Sequence, residues 1–181
     1  ILAARKENTF TDLFDFCKKV DLRKVNRRVL EALIKSGAMD KLGESRAVML
    51  ASINNAIRAA EQHVQNVEHG QHDLFGNLLD AKELSNVEYV KTKSWNEKQQ
   101  LQFEKETLGF YFSGHPITQY DQELQHIITS KIVNLNPRNK TTVKVAGLVV
   151  ALRLMNTRRG ERMAFISLGD QHARIEVAVF S

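Results

Sequence analysis

A chain of 181 residues with 43% apolar and 26% charged residues can form one or two globular domains with a real core. Its apolar runs fall far short of the roughly 20 residues that a membrane span needs, and no charged-then-apolar leader opens it, so a cytoplasmic protein is expected. The net charge of +5 is uneven: Ile1–Arg46 holds 11 basic and 7 acidic residues, Glu61–Glu104 holds 4 and 8, and Lys131–Ser181 holds 9 and 3.

Two basic blocks around an acidic middle suggest polyanion contact at both ends, although a solvated surface accounts for most charge runs of this size. Ile1–Lys6 reads as the tail of a helix and there is no initiating Met, so a piece of a longer polypeptide is expected. Phe10–Lys19 is a short apolar helix with Thr11 as its expected N-cap. Cys17, the single cysteine, lies in the run Leu13, Phe14, Phe16 and is read as a buried reduced thiol, not a disulfide, ligand or nucleophile.

After a loop at Asp21–Val25, Asn26 caps a helix with the apolar stripe Val29, Leu30, Leu33 and Ile34, ended by Gly37. Arg23, Lys24, Arg27, Arg28 and Lys35 gather around this helix and are the candidates for duplex phosphate contact; a solvated helix face is the bland alternative. A third helix runs on Met49, Ile53, Ile57, Ala60 and Val64, with Ser45 as its cap and Gly70 at its end.

Gln71-His72-Asp73-Leu74-Phe75-Gly76 follows, in a polar, acidic stretch without helical or strand periodicity. In an extended backbone Leu74 and Phe75 point to opposite sides, so a partner would need a groove with a pocket for each, while the Gln71 amide could fix the register. The alternative is that Leu74, Phe75, Leu78 and Leu79 tuck into a local core.

Ser94-x-x-Glu97 reads as a capping box opening a helix to about Tyr111, and a short helix is expected around Thr118–Ile128. The period then changes from 3.6 to 2. Val143–Arg153 is a long strand with a bulge or bend expected at Gly147, Thr157–Gly160 is a basic turn, and Arg162–Leu168 and Arg174–Phe180 are strands joined at Gly169–Ala173. A long bent strand, a basic loop and two more strands suit the first part of a five-stranded OB barrel, whose open edge would leave this last domain incomplete by itself. Arg153, Arg158, Arg159 and Arg162 bracket the loop and Phe165 lies on the second strand, where OB folds take single strands; Phe165 could instead face the core.

Nucleotidyl transfer needs clustered carboxylates to hold two metal ions, and the chain shows none. Asp12 and Asp15 read as a solvated helix pair, and His69 and His72 lack a third ligand at suitable spacing. No phosphate-cradling Gly-rich loop and no nucleophile elbow is present. No catalytic residue, metal site or cofactor is assigned to this segment.

With Asn26-Arg27-Arg28-Val29-Leu30-Glu31, Ser36-Gly37-Ala38, the Gln71 motif, Glu106-Thr107-Leu108-Gly109, Gly114-His115-Pro116 and Ala146-Gly147-Leu148-Val149 in hand, the chain resembles the C-terminal region of bacterial DNA polymerase III alpha subunits, the replicative C-family polymerases. The resemblance implies an α+β architecture: the end of a tandem helix-hairpin-helix region at 1–42, a helix at 43–70, a linker at 71–94, a helical connector at 95–140 and the first strands of an OB domain at 141–181. It implies that Gln71, Asp73, Leu74 and Phe75 bind the sliding clamp, that the first region holds duplex DNA, and that the OB strands contact single-stranded template. It further implies a parent DNA-directed DNA polymerase using Mg ions held elsewhere, with other replicase subunits as partners. The Asp21–Val25 turn departs from the usual hairpin in having no Gly. A free-standing OB protein binding single-stranded nucleic acid or tRNA is the alternative; it explains Thr142–Ser181 and leaves the helical half and the Gln71 motif without a purpose.

Overall fold

The computed structural model describes residues 1–7, 9–68, 88–136, 141–156 and 160–180. They make an α+β chain of two compact units, Ile1–Phe112 and Ser113–Ser181. The first unit holds α1 (Leu2–Glu7), α2 (Leu13–Lys19), α3 (Arg27–Lys35), α4 (Arg46–Glu68) and α5 (Glu97–Leu108). Among the described residues no helix is long and apolar enough to cross a membrane.

The apolar stripes define one core, formed by Leu13, Phe14, Phe16 and Cys17 of α2, Leu30 and Ile34 of α3, and Met49, Ile53, Ala56 and Ala60 of α4. Leu13, Leu30, Ile34 and Met49 have no exposed surface, and burial of each such side chain contributes roughly 1.5–3 kcal/mol. The α4 stripe stops at Ala60, since Val64 is half exposed.

Two helix starts differ from the sequence reading, and side-chain reach explains both. Asp12, not Thr11, caps α2, its carboxylate accepting the Asp15 N–H at 2.8 Å and adding a negative charge at the positive end of the helix. Asn96, not Ser94, caps α5, accepting the Gln99 N–H at 2.8 Å. That helix ends at Leu108 rather than near Tyr111, because Gly109 adopts the left-handed region at φ 81° and closes the last turn onto Lys105 O. Asn26 caps α3 as expected, and Ser45 Oγ accepts the Val48 N–H at the start of α4.

Residues 88–96 lie back over this core. Leu13 N–H donates to Tyr89 Oη at 3.2 Å, the Tyr89 ring meets Phe14 edge-on at 4.9 Å, and Val90 N–H donates to the buried Ser52 Oγ at 2.9 Å. α5 packs on α3, so the boundary between the two units falls at Phe112, inside the stretch 95–140 that reads as one connector in the sequence.

In the second unit the helix expected over Thr118–Ile128 is broken into a 3-10 turn, Pro116–Tyr120, and one α-helical turn, α6 (Asp121–Leu124). His115 caps the former through Nδ1, which accepts the Ile117 N–H at 3.3 Å, and Pro116 opens it. The sheet is antiparallel in the order β1 (Leu148–Asn156), β2 (Arg162–Gly169), β3 (Arg174–Phe180).

β1 begins five residues later than Val143, because the Lys144 backbone bonds to Thr129 and Ser130 instead of to a strand. The bulge also moves: the register slips between Val149 and Ala151, making Val150 the extra residue. Gly147 precedes it and serves close approach, since an added Cβ would lie 3.2 Å from the Gly169 backbone and 3.1 Å from Ile132 Cδ1. The β2–β3 turn forms at the expected place, with Asp170 Oδ1 accepting the N–H groups of His172 and Ala173 at 2.8 Å. Two of the three strands are edges, and the barrel is open.

Candidate nucleic-acid interface

The five basic residues of the helical region do not form one cluster. Arg23, Lys24, Arg27 and Arg28 lie at the α2–α3 turn and the first turn of α3, all exposed. Lys24 sits 3.9 Å from Asp21, whereas Arg27 is held more firmly, donating at 2.8 Å to Glu31 and 2.9 Å to Asn54 Oδ1 on α4. Lys35 is at the far end of α3, half-buried, with Nζ 4.8 Å above the Phe103 ring of α5. Its position fits a packing role through cation–π contact.

The Gly-bearing turn of this region lies one hairpin later, between α3 and α4. Gly37 and Gly43 both take positive φ there, at 81° and 96°. The turn is braced from within by Arg46, whose Nε and Nη2 each donate at 2.7 Å to Asp40 and whose Nη1 donates at 2.8 Å to Glu104 of α5. Glu104 is fully buried, and its other oxygen accepts the Phe112 N–H at 2.8 Å. Bonding to Asp40 pushes the Arg46 pKa up; burial opposes this, and Glu104 reinforces the rise. Nothing in the sequence separates Arg46 or Glu104 from surface charge, because their partner lies on another helix.

On the sheet, residues directly opposite one another share a face. Leu152, Ile166 and Val177 align, as do Leu154, Ala164 and Val179, and Val149, Leu168 and Ile175, so this face is apolar up to the Asn156–Arg162 pair at its end and has the character of a barrel interior. Arg153, Phe165 and Ala178 align on the other face, flanked by Ala151, Ser167 and Glu176 and by Met155, Met163 and Phe180. This answers which way Phe165 points. It stands on the polar face, with the Arg153 guanidinium carbon 5.2 Å from its ring centroid. Arg162 is exposed at the start of β2, on the apolar side of the pleat, at the mouth of the loop.

Arg158 and Arg159 lie outside the described residues, as do Gln71, Asp73, Leu74 and Phe75 and the pair His69 and His72. Among the described residues no three His, Cys, Asp or Glu side chains are grouped to hold a metal ion. Asp12 and Asp15 are engaged in capping and in the Asp15–Lys19 pair at 2.8 Å. Burial would raise the Asp15 pKa, but the Lys19 and Thr11 hydrogen bonds outweigh it and hold the carboxyl below its usual range. Burial pushes the Cys17 thiol up to about 12, so it is no nucleophile at neutral pH.

The helical hairpins α2–α3 and α3–α4 place the first unit in the helix-hairpin-helix class, and residues 1–49 match the family model described as helix-hairpin-helix motif. Over essentially its whole length the chain is homologous to a segment of DNA polymerase III alpha subunits. It is 46% identical over 183 residues to that subunit of Vibrio cholerae, covering 100% of this chain and 16% of the relative. The subunit of Haemophilus influenzae is 42% identical over 182 residues, with 99% and 16% covered, and that of Escherichia coli K12 is 41% identical over 183 residues, with 100% and 16% covered. The chain thus spans 16% of the length of the curated relatives it matches.

Proposed function

We propose that this chain is the DNA-holding and clamp-docking segment of a template-directed replicative DNA polymerase working in the bacterial cytoplasm. The observation that carries the reading is the full-length homology to DNA polymerase III alpha subunits, which covers both units together. A free-standing OB protein would share only the second unit. The polymerisation chemistry, with its Mg ions and palm carboxylates, belongs in this reading to other parts of the parent polypeptide.

Each part has its own physical role. Arg23, Lys24, Arg27 and Arg28 offer cations to duplex phosphates, a sequence-independent hold that suits an enzyme copying any template. Arg153, Arg158, Arg159, Arg162 and Phe165 offer the template strand cations and one aromatic platform. Gln71, Asp73, Leu74 and Phe75 dock on the sliding clamp as a short peptide in a groove.

Geometry supports the third role indirectly. α4 ends at Glu68 and the chain is back on the same unit by Tyr89 and Val90, so both ends of the motif-bearing stretch are attached to the unit with the basic helix. A short motif binds weakly alone because ordering it offsets much of the contact energy. Once the same unit holds the DNA that the clamp encircles, the effective concentration of the clamp rises and a modest affinity becomes long residence.

The test is Leu74→Ala with Phe75→Ala in the full-length polymerase subunit. Clamp binding and clamp-stimulated long products should be lost, while short distributive primer extension stays nearly intact. Full clamp stimulation in the double variant, or its failure to fold, would return Leu74 and Phe75 to a core role.

A further inference from the structure

The polar face of the sheet carries one acidic side chain among its candidate binding groups, and that side chain is already in use. Glu176 Oε1 accepts from Arg153 Nη2 at 2.9 Å, while the same guanidinium lies over the Phe165 ring. The three residues come from three strands, and the register places them next to one another: Arg153 opposite Phe165, and Glu176 opposite Ser167, one step along the same face. Small side chains, Ala151, Ser167 and Ala178, neighbour the ring and the guanidinium toward Glu176, while Met155, Met163 and Phe180 flank them on the other side.

A single-stranded polynucleotide would need what this arrangement occupies. Its phosphate needs Arg153 and its base needs the flat face of Phe165. In the free protein the guanidinium covers the ring and the carboxylate neutralises the guanidinium. Binding therefore exchanges one anion for another at Arg153, and it brings a phosphate close to a carboxylate that stays within reach. The pair is also easily opened. Its side chains are 65% and 56% exposed, where water and salt screen an ion pair to little net strength.

We propose that Glu176 is a built-in attenuator of single-strand binding: it competes with the phosphate for Arg153 and so keeps the hold weak and quickly reversible. The inference rests on reading this face as the single-strand contact. Its physical sense is that a template strand must advance past the protein at each step, and a platform with full charge would retain it. Arg174, two residues before Glu176 on the same face, remains to keep the strand in the neighbourhood electrostatically.

The experiment measures binding of a fluorescent oligothymidylate to the full-length polypeptide across a salt series, for the variants Glu176→Gln, Arg153→Ala, Phe165→Ala and Glu176→Gln with Arg153→Ala. Glu176→Gln should tighten binding about two- to fivefold, in keeping with a surface pair, and steepen the salt dependence by up to about 0.7 in log–log slope. Arg153→Ala should weaken binding more in the Glu176→Gln background than in the wild type. If Phe165→Ala weakens binding but Glu176→Gln leaves it unchanged or weaker, the face stands as the contact and the attenuator is wrong. If neither substitution alters binding, the single-strand reading of the face falls, and the inference with it.

Discussion

Arg46 at the start of α4 and Glu104 in α5 stand 58 positions apart and meet at 2.8 Å, joining the hairpin turn to the helix that follows the motif-bearing stretch. Arg46 is 8% exposed and Glu104 fully buried. Two charges out of water are tolerated because each is saturated: Asp40 takes two further guanidinium donors and Phe112 N–H donates to the second Glu104 oxygen.

Removing one partner of such a pair leaves the other buried without compensation. Glu104→Ala should destabilise the protein by about 3 kcal/mol, at the low end of the usual range because Arg46 keeps Asp40. Glu104→Gln should cost less, since it retains an acceptor for Phe112 N–H. Urea unfolding checks both; midpoints equal to wild type in the two variants would mean that the pair contributes no net stability.

Gly37 and Gly43 invite a comparison because both take positive φ but differ in surroundings. A Cβ on Gly37 would run into the Arg46 guanidinium and approach Asp40 Oδ2, whereas Gly43 has open space. Gly43→Ala should cost only the left-handed strain, about 1–2 kcal/mol. Gly37→Ala should cost clearly more, and the excess should vanish when Arg46 is also replaced by Ala, a non-additivity that a double-mutant cycle reads directly.

The placement of the basic residues separates charge from packing in duplex binding. Arg23→Ala and Arg28→Ala should each flatten the salt dependence of duplex affinity by about 0.9 in log–log slope. Arg27→Ala should do less, its guanidinium being engaged by Glu31 and Asn54. Lys35→Ala should leave the slope unchanged and lower stability through loss of the Phe103 contact. A slope that Lys35→Ala alters as much as Arg28→Ala would place Lys35 on the DNA.

Asp170 should make the second unit sensitive to acid. Burial works to raise its pKa, but backbone N–H groups of His172, Ala173 and Ile132 outweigh it and hold the carboxyl below 3.8. A folded-state pKa below the unfolded value contributes stability that is fully present above the unfolded pKa and is lost as pH falls through the folded one. Asp170→Asn should therefore reduce the loss of stability below about pH 4, measured as the urea midpoint of unfolding of the second unit against pH. An identical acid limb in wild type and variant would show that the turn contributes nothing to it.

Local pattern alone determined a good deal of this protein. The α2, α3 and α4 stripes, the Asn26 cap, the buried Cys17, the strands β2 and β3 and the turn between them follow from periodicity and short-range chemistry, because each depends on neighbours within a few residues. Only the tertiary structure decided the rest. Asp12 prevailed over Thr11 and Asn96 over Ser94 because caps compete by reach, β1 began late because Thr129 and Ser130 took its first backbone groups, and Lys35 left the basic cluster for a ring on α5. The face of Phe165, its cover by Arg153, the Arg153–Glu176 pair and the burial of Arg46 with Glu104 depend on strand register and helix packing, and a linear pattern does not record which distant residue arrives opposite.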